Sequence, residues 1–175
     1  MALGKSILSV LSSKRTLLKE AERRKWRNLS VLEINEAGDL SPVLSKFKQH
    51  RLVSFPEIDM QNINFNNCSF DLVVHGDTLE HIPSPSDALS ECYRILKHGG
   101  HMAFTVPVIV GRPTRSRASL TPSYHGNPLE KPEDYLVHSE FGTDVCELVL
   151  EAGFNAVQIF AIEYPTALAF VAYKQ

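Results

Sequence analysis

Two polar turns carry the side chains best suited to chemistry in this 175-residue chain. The first, Asn35-Glu36-Ala37-Gly38-Asp39, follows the apolar run Ser30 to Ile34. The second, His75-Gly76-Asp77-Thr78-Leu79-Glu80-His81-Ile82-Pro83, follows Phe70 to Val74. Each contains a glycine, which lets a ligand approach the backbone closely. A third group lies beyond Val106, where Arg112, Arg115 and Arg117 offer guanidinium forks suited to a phosphate or carboxylate. In the same stretch Tyr124 and His125 could remove a proton from a nucleophile. Hydrolytic chemistry has less to stand on, because no Ser-His-Asp or Cys-His order is implied. His50, His98, His101, His125 and His138 lack metal-ligand spacing, so no metal site is expected.

The elements that must position these groups alternate between buried strand and helix, the pattern of an α/β sheet covered on its faces. Strands are predicted at Ser30 to Ile34, His50 to Phe55, Phe70 to Val74 and Met102 to Val106. Helices are predicted at Leu40 to Phe47, at Ser86 to Leu96 with Gly99-Gly100 as its stop, and at Glu140 to Ala152 closed by Gly153. Ala156 to Ile162 and Ala167 to Tyr173 read as an antiparallel pair around Pro165. Pro107 to Tyr135 holds five prolines and reads as one long loop, a lid over the ligand edge. An open parallel sheet binds ligands beyond the carboxyl ends of its strands, which is where both polar turns fall.

Composition sets the outer limits. Apolar residues make up 43% and charged residues 22%, which excludes a disordered or fibrous chain. No apolar run approaches the roughly 18 to 20 residues that cross a bilayer, and Met1 to Ser13 lacks the basic start and cleavage site of a secretory leader. Cys68, Cys92 and Cys146 are odd in number and far apart, so neither a disulfide framework nor a zinc site is suggested. The expectation is a cytoplasmic protein. Residues 1–28 form a basic segment, predicted as one or two helices beside the sheet. Met1 to Ser30 carries eight Lys or Arg against Glu20 and Glu22. Nucleic-acid binding through it would need aromatic platforms or a recognition motif, and neither is present. Oligomerisation is left open.

The stretches Val31-Leu32-Glu33-Ile34, Phe70-Asp71-Leu72-Val73-Val74, Leu79-Glu80-His81-Ile82-Pro83 and Arg94-Ile95-Leu96-Lys97-His98-Gly99-Gly100 together resemble class I S-adenosylmethionine-dependent methyltransferases of the small-molecule, type 11-like group. The resemblance runs from about Leu29 to Tyr173. It implies a shortened, Rossmann-like, doubly wound and mostly parallel sheet over residues 29–175, ending in an antiparallel strand pair. It also implies S-adenosyl-L-methionine as cofactor and methyl transfer to a small-molecule acceptor. Ser123-Tyr124-His125-Gly126-Asn127-Pro128 and Phe141-Gly142 with Asp144 are similar to a subgroup acting on carbohydrate-related compounds, and the arginines would suit an anionic acceptor. Carried onto this chain, the cofactor would meet Glu33, Asn35, Ala37, Gly38, Glu57, Asp59, Met60, His75, Gly76, Asp77 and His81. Arg112 and Arg115 would bind substrate, and Tyr124 or His125 would act as base.

Two departures accompany the resemblance. Asn35, Ala37 and Asp39 stand where the group has glycines, leaving only Gly38 nearby. Asn tolerates positive φ, which would preserve the turn. The acidic residue expected after the second strand is absent, Glu57 being the substitute, and a helix and a strand are missing before Asp59 and Met60. The cofactor pocket is therefore expected to be open on its adenosine side or built from fewer elements. A protein that kept the fold but lost catalysis, serving as a binding or scaffolding subunit, is the alternative reading.

Overall fold

The computed structural model describes residues 2–11, 13–23, 25–125, 135–162 and 167–175. Its helices are α1 Ala2–Val10, α2 Leu17–Ala21, α3 Ser41–Leu44, α4 Pro85–Ile95 and α5 Val145–Glu151. Its strands are β1 Ser30–Ile34, β2 Gln49–Val53, β3 Phe70–Gly76, β4 Leu96–Thr105, β5 Arg115–Ser116, β6 Ser139–Glu140, β7 Ala156–Ile162 and β8 Ala167–Tyr173. Six strands form one sheet in the order β2-β1-β3-β4-β8-β7, and β5 and β6 form a separate ribbon. The first four are parallel, while β8 runs antiparallel to both β4 and β7. The doubly wound α/β architecture with an antiparallel end is thus present. Between β2 and β3 there is neither helix nor strand, so β2 is a sheet edge.

Alternate side chains of each strand face opposite layers. Leu32, Ile34, Val73, Met102, Phe104 and Phe170 pack with Leu89, Cys92 and Ile95 of α4 and Val149 of α5. Val31, Leu72, Val74, Ala103 and Val171 pack on the other side with Leu3 and Ile7 of α1, Leu17 and Ala21 of α2, and Leu44 of α3. Ile7, Leu32, Leu44 and Leu89 are fully buried, each worth about 1.5–3 kcal/mol. The basic first segment therefore supplies, together with α3, one layer of the core. Its charge is partly answered locally: Glu20, fully buried, accepts hydrogen bonds from Ser13 Oγ at 2.9 Å and Arg23 Nη1 at 2.8 Å. Thr16 caps α2 by accepting from the Lys19 N–H.

Several boundaries differ from expectation, each for a local reason. Pro85 opens α4 beneath a Ser84 cap, and the helix ends at Ile95. The chain enters β4 at once, because Leu96 pairs with Phe70, and Gly99-Gly100 lies inside that strand. The register slips there between Phe70 and Leu72. At Gly100 a side chain would meet the Lys97 carbonyl at 2.8 Å, so glycine accommodates the irregularity. The predicted Leu40 to Phe47 helix shrinks to a 3₁₀ turn, Gly38–Leu40, followed by α3. Glu140 belongs to β6 and not to the helix after it. The expected turn around Pro165 lies outside the described residues, as do Gly126, Asn127, Pro128 and Pro132.

Candidate active site

A cavity of about 770 Å³ opens at the carboxyl ends of β1, β2 and β3, within the roughly 300–1,000 Å³ usual for small-molecule sites. On the β2 side its wall is Ser54, Phe55, Ile58, Asp59, Met60 and Gln61, from the stretch between β2 and β3 that holds neither helix nor strand. Ile34, Asn35 and Glu36 follow from β1, then Gly76, Asp77 and Thr78 from β3. Its far end is made by His81, Ile82, Tyr135 and His138.

Six of the eleven cofactor positions read from the sequence meet in this cavity: Asn35, Asp59, Met60, Gly76, Asp77 and His81. Asn35 and Asp77 adopt left-handed backbone, φ 56° and 46°, the conformation glycine supplies more cheaply. The Asn35 N–H donates to the Val53 carbonyl at 2.8 Å and the Asp77 N–H to that of Thr105 at 3.0 Å, so both turns are pinned to neighbouring strands. Gly76 gives backbone to the cavity, but a side chain there would aim toward Thr105 Oγ1 and Leu3, away from the ligand space.

The other five positions lie elsewhere. Glu33 is fully buried on the α3 face and braces the first turn. Its carboxylate accepts from the Ala37 N–H at 2.8 Å and Ser41 Oγ at 3.1 Å, and meets His50 Nε2 at 2.7 Å. Ala37 and Gly38 are spent on that turn, and Glu57 is exposed outside the cavity, where Asp59 supplies the carboxylate instead. His75 alternates onto the core face of β3 and stacks on Phe104 with ring centroids 5.1 Å apart. Burial pushes it down to about 3, and neither ring nitrogen has a hydrogen-bond partner.

The long loop is a strap of two legs. Its outgoing leg pairs with the returning one through β5 and β6, through the Tyr124–Leu136 bridge, and through the His125 N–H donating to the Tyr135 carbonyl at 3.0 Å. Arg112, Arg115 and Arg117 all converge on Glu140, the Arg115 Nε contact being 2.8 Å. These guanidiniums hold Glu140 well below the usual carboxylate range. Arg112, Arg115, Tyr124 and His125 do not line the cavity. The returning leg does, through Tyr135 and His138, neither of which is among the site residues expected from the sequence. Their signal was faint, since the pairing that turns the leg inward joins residues far apart in sequence.

The strap latches onto the Leu79–His81 turn. The His138 N–H donates to the Glu80 carbonyl at 2.7 Å, and His81 Nδ1 lies 3.0 Å from the Leu136 carbonyl. A carbonyl only accepts, so Nδ1 carries the hydrogen and Nε2 of the neutral ring is free. Glu80 is buried, with no hydrogen bond to either carboxylate oxygen, and desolvation together with Asp77 pushes it up to about 7. Its Oε1 stands 3.8 Å from His81 Nε2 and 3.8 Å from His125 Nδ1. Among the described residues this is the one trio of His, Cys, Asp or Glu side chains whose donor atoms fall within 4.8 Å of one another, a spacing that could share a proton or a small cation.

The profile of the methyltransferase domain matches residues 12–104, more than half of the chain, and the chain belongs to that family. Its cofactor is S-adenosyl-L-methionine. Among curated relatives, the ubiquinone biosynthesis O-methyltransferase of Pseudomonas entomophila is 28% identical over 108 residues, covering 58% of this chain and 44% of that protein. The enzyme of the same name from Alkalilimnicola ehrlichii is 27% identical over 90 residues, covering 51% and 36%. The chain thus matches less than half the length of these relatives. Among solved structures, YcgJ from Bacillus subtilis shares the fold with a TM-score of 0.56 at 13% identity, over 91% of this chain and 96% of its own. A SAM-dependent methyltransferase from Methanosarcina mazei gives 0.51 at 13%, over 85% and 93%.

The residues present fit this cofactor. The left-handed turns at Asn35 and Asp77 bring open backbone to the cavity, and Asp59 offers a carboxylate on the β2 side. No helix among the described residues is long and apolar enough to cross a membrane.

Proposed function

We propose that this chain transfers a methyl group from S-adenosylmethionine to a hydroxyl of a small acceptor. The observation that carries this is the single cavity spanning the ends of β2, β1 and β3, with Asn35 and Asp77 in left-handed backbone on its floor. When bound, the cofactor supplies a methyl group on a positively charged sulfur, already activated for displacement. The chain's own work is to bind, to orient and to exclude water. Asn35, Asp59, Met60, Gly76 and Asp77 would hold the cofactor, with its adenosine end toward the β2 loop. Tyr135 and His138 on the strap, with His81, would enclose the acceptor. An oxygen acceptor is favoured because the curated relatives are named as O-methyltransferases. Arg112 and Arg115, occupied by Glu140, would secure the strap and leave the acceptor to the returning leg.

Calorimetric titration with S-adenosylhomocysteine tests the reading. Micromolar binding, lost when Asp77 is replaced by Val, is the expected result. Binding weaker than millimolar, about −4 kcal/mol, would transfer support to the noncatalytic alternative.

A further inference from the structure

We infer that the β7 edge of the sheet is a self-association surface, on which a second copy of this chain pairs antiparallel across a two-fold axis at Ile159. β7 ends the six-stranded sheet on the side away from the cavity, and among the described residues no strand or bridge lies on its outer side. A bare strand edge is a template for another chain, and monomeric proteins blunt theirs with charge, proline or a bulge. β7 has none of these. Ala156–Ile162 holds no charged residue, no proline and no glycine, and all seven residues pair with β8 without a slip in register. Ile159 is 52% exposed, and Leu150, on the α5 helix packed beside β7, is 46% exposed.

The pairing of β8 fixes which backbone groups β7 leaves outward. The Lys174 N–H donates to the Gly100 carbonyl at 3.1 Å, and the Lys174 carbonyl accepts from the Gly99 N–H at 2.8 Å, so Lys174 turns its backbone to β4. Alternate residues of an antiparallel strand face opposite neighbours. Tyr173, Val171 and Ala169 therefore turn theirs to β7, where they meet Ala156, Gln158 and Phe160. Val157, Ile159 and Ala161 are left with N–H and C=O on the outer edge. A second β7 centred on Ile159 sets that residue opposite its own copy and Val157 opposite Ala161. The two strands then overlap along their whole length, and every facing pair is uncharged.

The other edge of the sheet does not offer this. Gln49–Val53 is shorter and carries His50 and Arg51. The same operation there would set Arg51 against its own copy, and like charges directly opposite are destabilising. Its carboxyl end also walls the cavity. A seven-residue strand is about 24 Å long. With α1 and α5 both packed against β7, the edge presents roughly 700 Å² per copy, close to the ~800 Å² of a standard stable interface. Pairing at β7 leaves the cavity of each copy open at the far side of its sheet.

Sedimentation equilibrium of the full chain, over about a hundredfold range of micromolar concentrations, tests the inference. At the upper end the expected mass is twice the 19.6 kDa of one chain. Ile159→Lys, which sets two ammonium groups against each other at the axis, should weaken the pairing about a hundredfold, with circular dichroism confirming the fold. Should that variant fail to fold, a cysteine pair decides. Facing residues of a hydrogen-bonded pair lie about 5.5 Å apart, within disulfide reach. Ile159→Cys in a Cys68→Ser background should therefore give a disulfide-linked dimer with oxidised glutathione, whereas Leu52→Cys on the β2 edge, in the same background, should not. A single-chain mass at every concentration, or equal association of wild type and Ile159→Lys, overturns the inference. So does cross-linking of Leu52→Cys that equals or exceeds that of Ile159→Cys. A mass that keeps growing with concentration also overturns it, because a two-fold contact closes at two chains.

Discussion

Asp144 holds Thr114 from thirty residues away, its carboxylate accepting the Thr114 backbone N–H at 2.7 Å and the hydroxyl at 2.6 Å. The same hydroxyl accepts the Gly142 N–H at 3.0 Å. The backbone of Arg112 to Thr114 crosses so close to Gly142 that any Cβ there would overlap the Arg112 carbonyl. This crossing fixes the base of the strap that carries Tyr135 and His138 to the cavity. Gly142→Ala should therefore destabilise the protein by about 3 kcal/mol or more, or detach the strap. Thermal melting measures the first, and hydrogen exchange of residues 112–125 and 135–141 measures the second. Unchanged melting with unchanged protection would show that the crossing tolerates a side chain.

Glu80 makes stability depend on pH in a defined direction. Its carboxyl, at about 7 in the folded protein against 4.5 ordinarily, keeps its proton in the native state where the unfolded chain has lost it. The stability it confers is complete below about pH 4.5 and is lost as pH rises through about 7. Urea titrations of wild type and Glu80→Gln should diverge across that window by an amount on the order of 3 kcal/mol. Parallel curves would mean that Glu80 is hydrated or paired.

His75 acts in the opposite sense. Its folded-state value of about 3, against 6.5, gives stability that is present above about pH 6.5 and is lost as pH falls toward 3. His75→Leu, similar in volume and free of unpartnered nitrogens, should keep the packing near Phe104 and raise the midpoint of unfolding at about pH 4. An unaltered acid transition would show that some other group sets it.

Glu33 braces the turn that presents Asn35. Glu33→Ala removes the acceptor of the Ala37 N–H and of Ser41, and should cost about 3 kcal/mol. Glu33→Gln, which keeps one acceptor oxygen, should cost less. If Glu33 only braces, S-adenosylhomocysteine affinity should fall no further in Glu33→Gln than the loss of turn order, read from the Asn35 and Ala37 amide signals, accounts for.

In the first segment, charge matters at one place. Arg23 reaches the buried Glu20 at 2.8 Å, so Arg23→Gln should lower the melting temperature, whereas Lys14→Gln should not, since an isolated exposed charge contributes little. Equal melting of the two variants would show that Ser13 and Arg15 suffice to satisfy Glu20.

The strands Ser30–Ile34, Ala156–Ile162 and Ala167–Tyr173 were legible residue for residue, because short apolar runs bounded by turn formers leave little choice of local structure. So were the two polar turns, since a parallel sheet must present its strand ends to ligands. Gly99-Gly100, read as a helix stop, instead lies inside β4, where pairing of Leu96 with Phe70 overrode the local signal. The faces of the two glutamates and of His75 needed the register: one residue of offset sends Glu33 toward α3 and His75 onto Phe104, while Glu80 turns inward beside His81. Most distant from local reading was the strap. Arg112, Arg115 and Arg117 carry charge that a ligand could use, and only the pairing of β5 with β6 gives them to Glu140 and turns Tyr135 and His138 to the cavity. Local propensity follows from neighbours in sequence, whereas the partner of a charge or an edge follows from which distant segments the folded chain brings within a few ångströms.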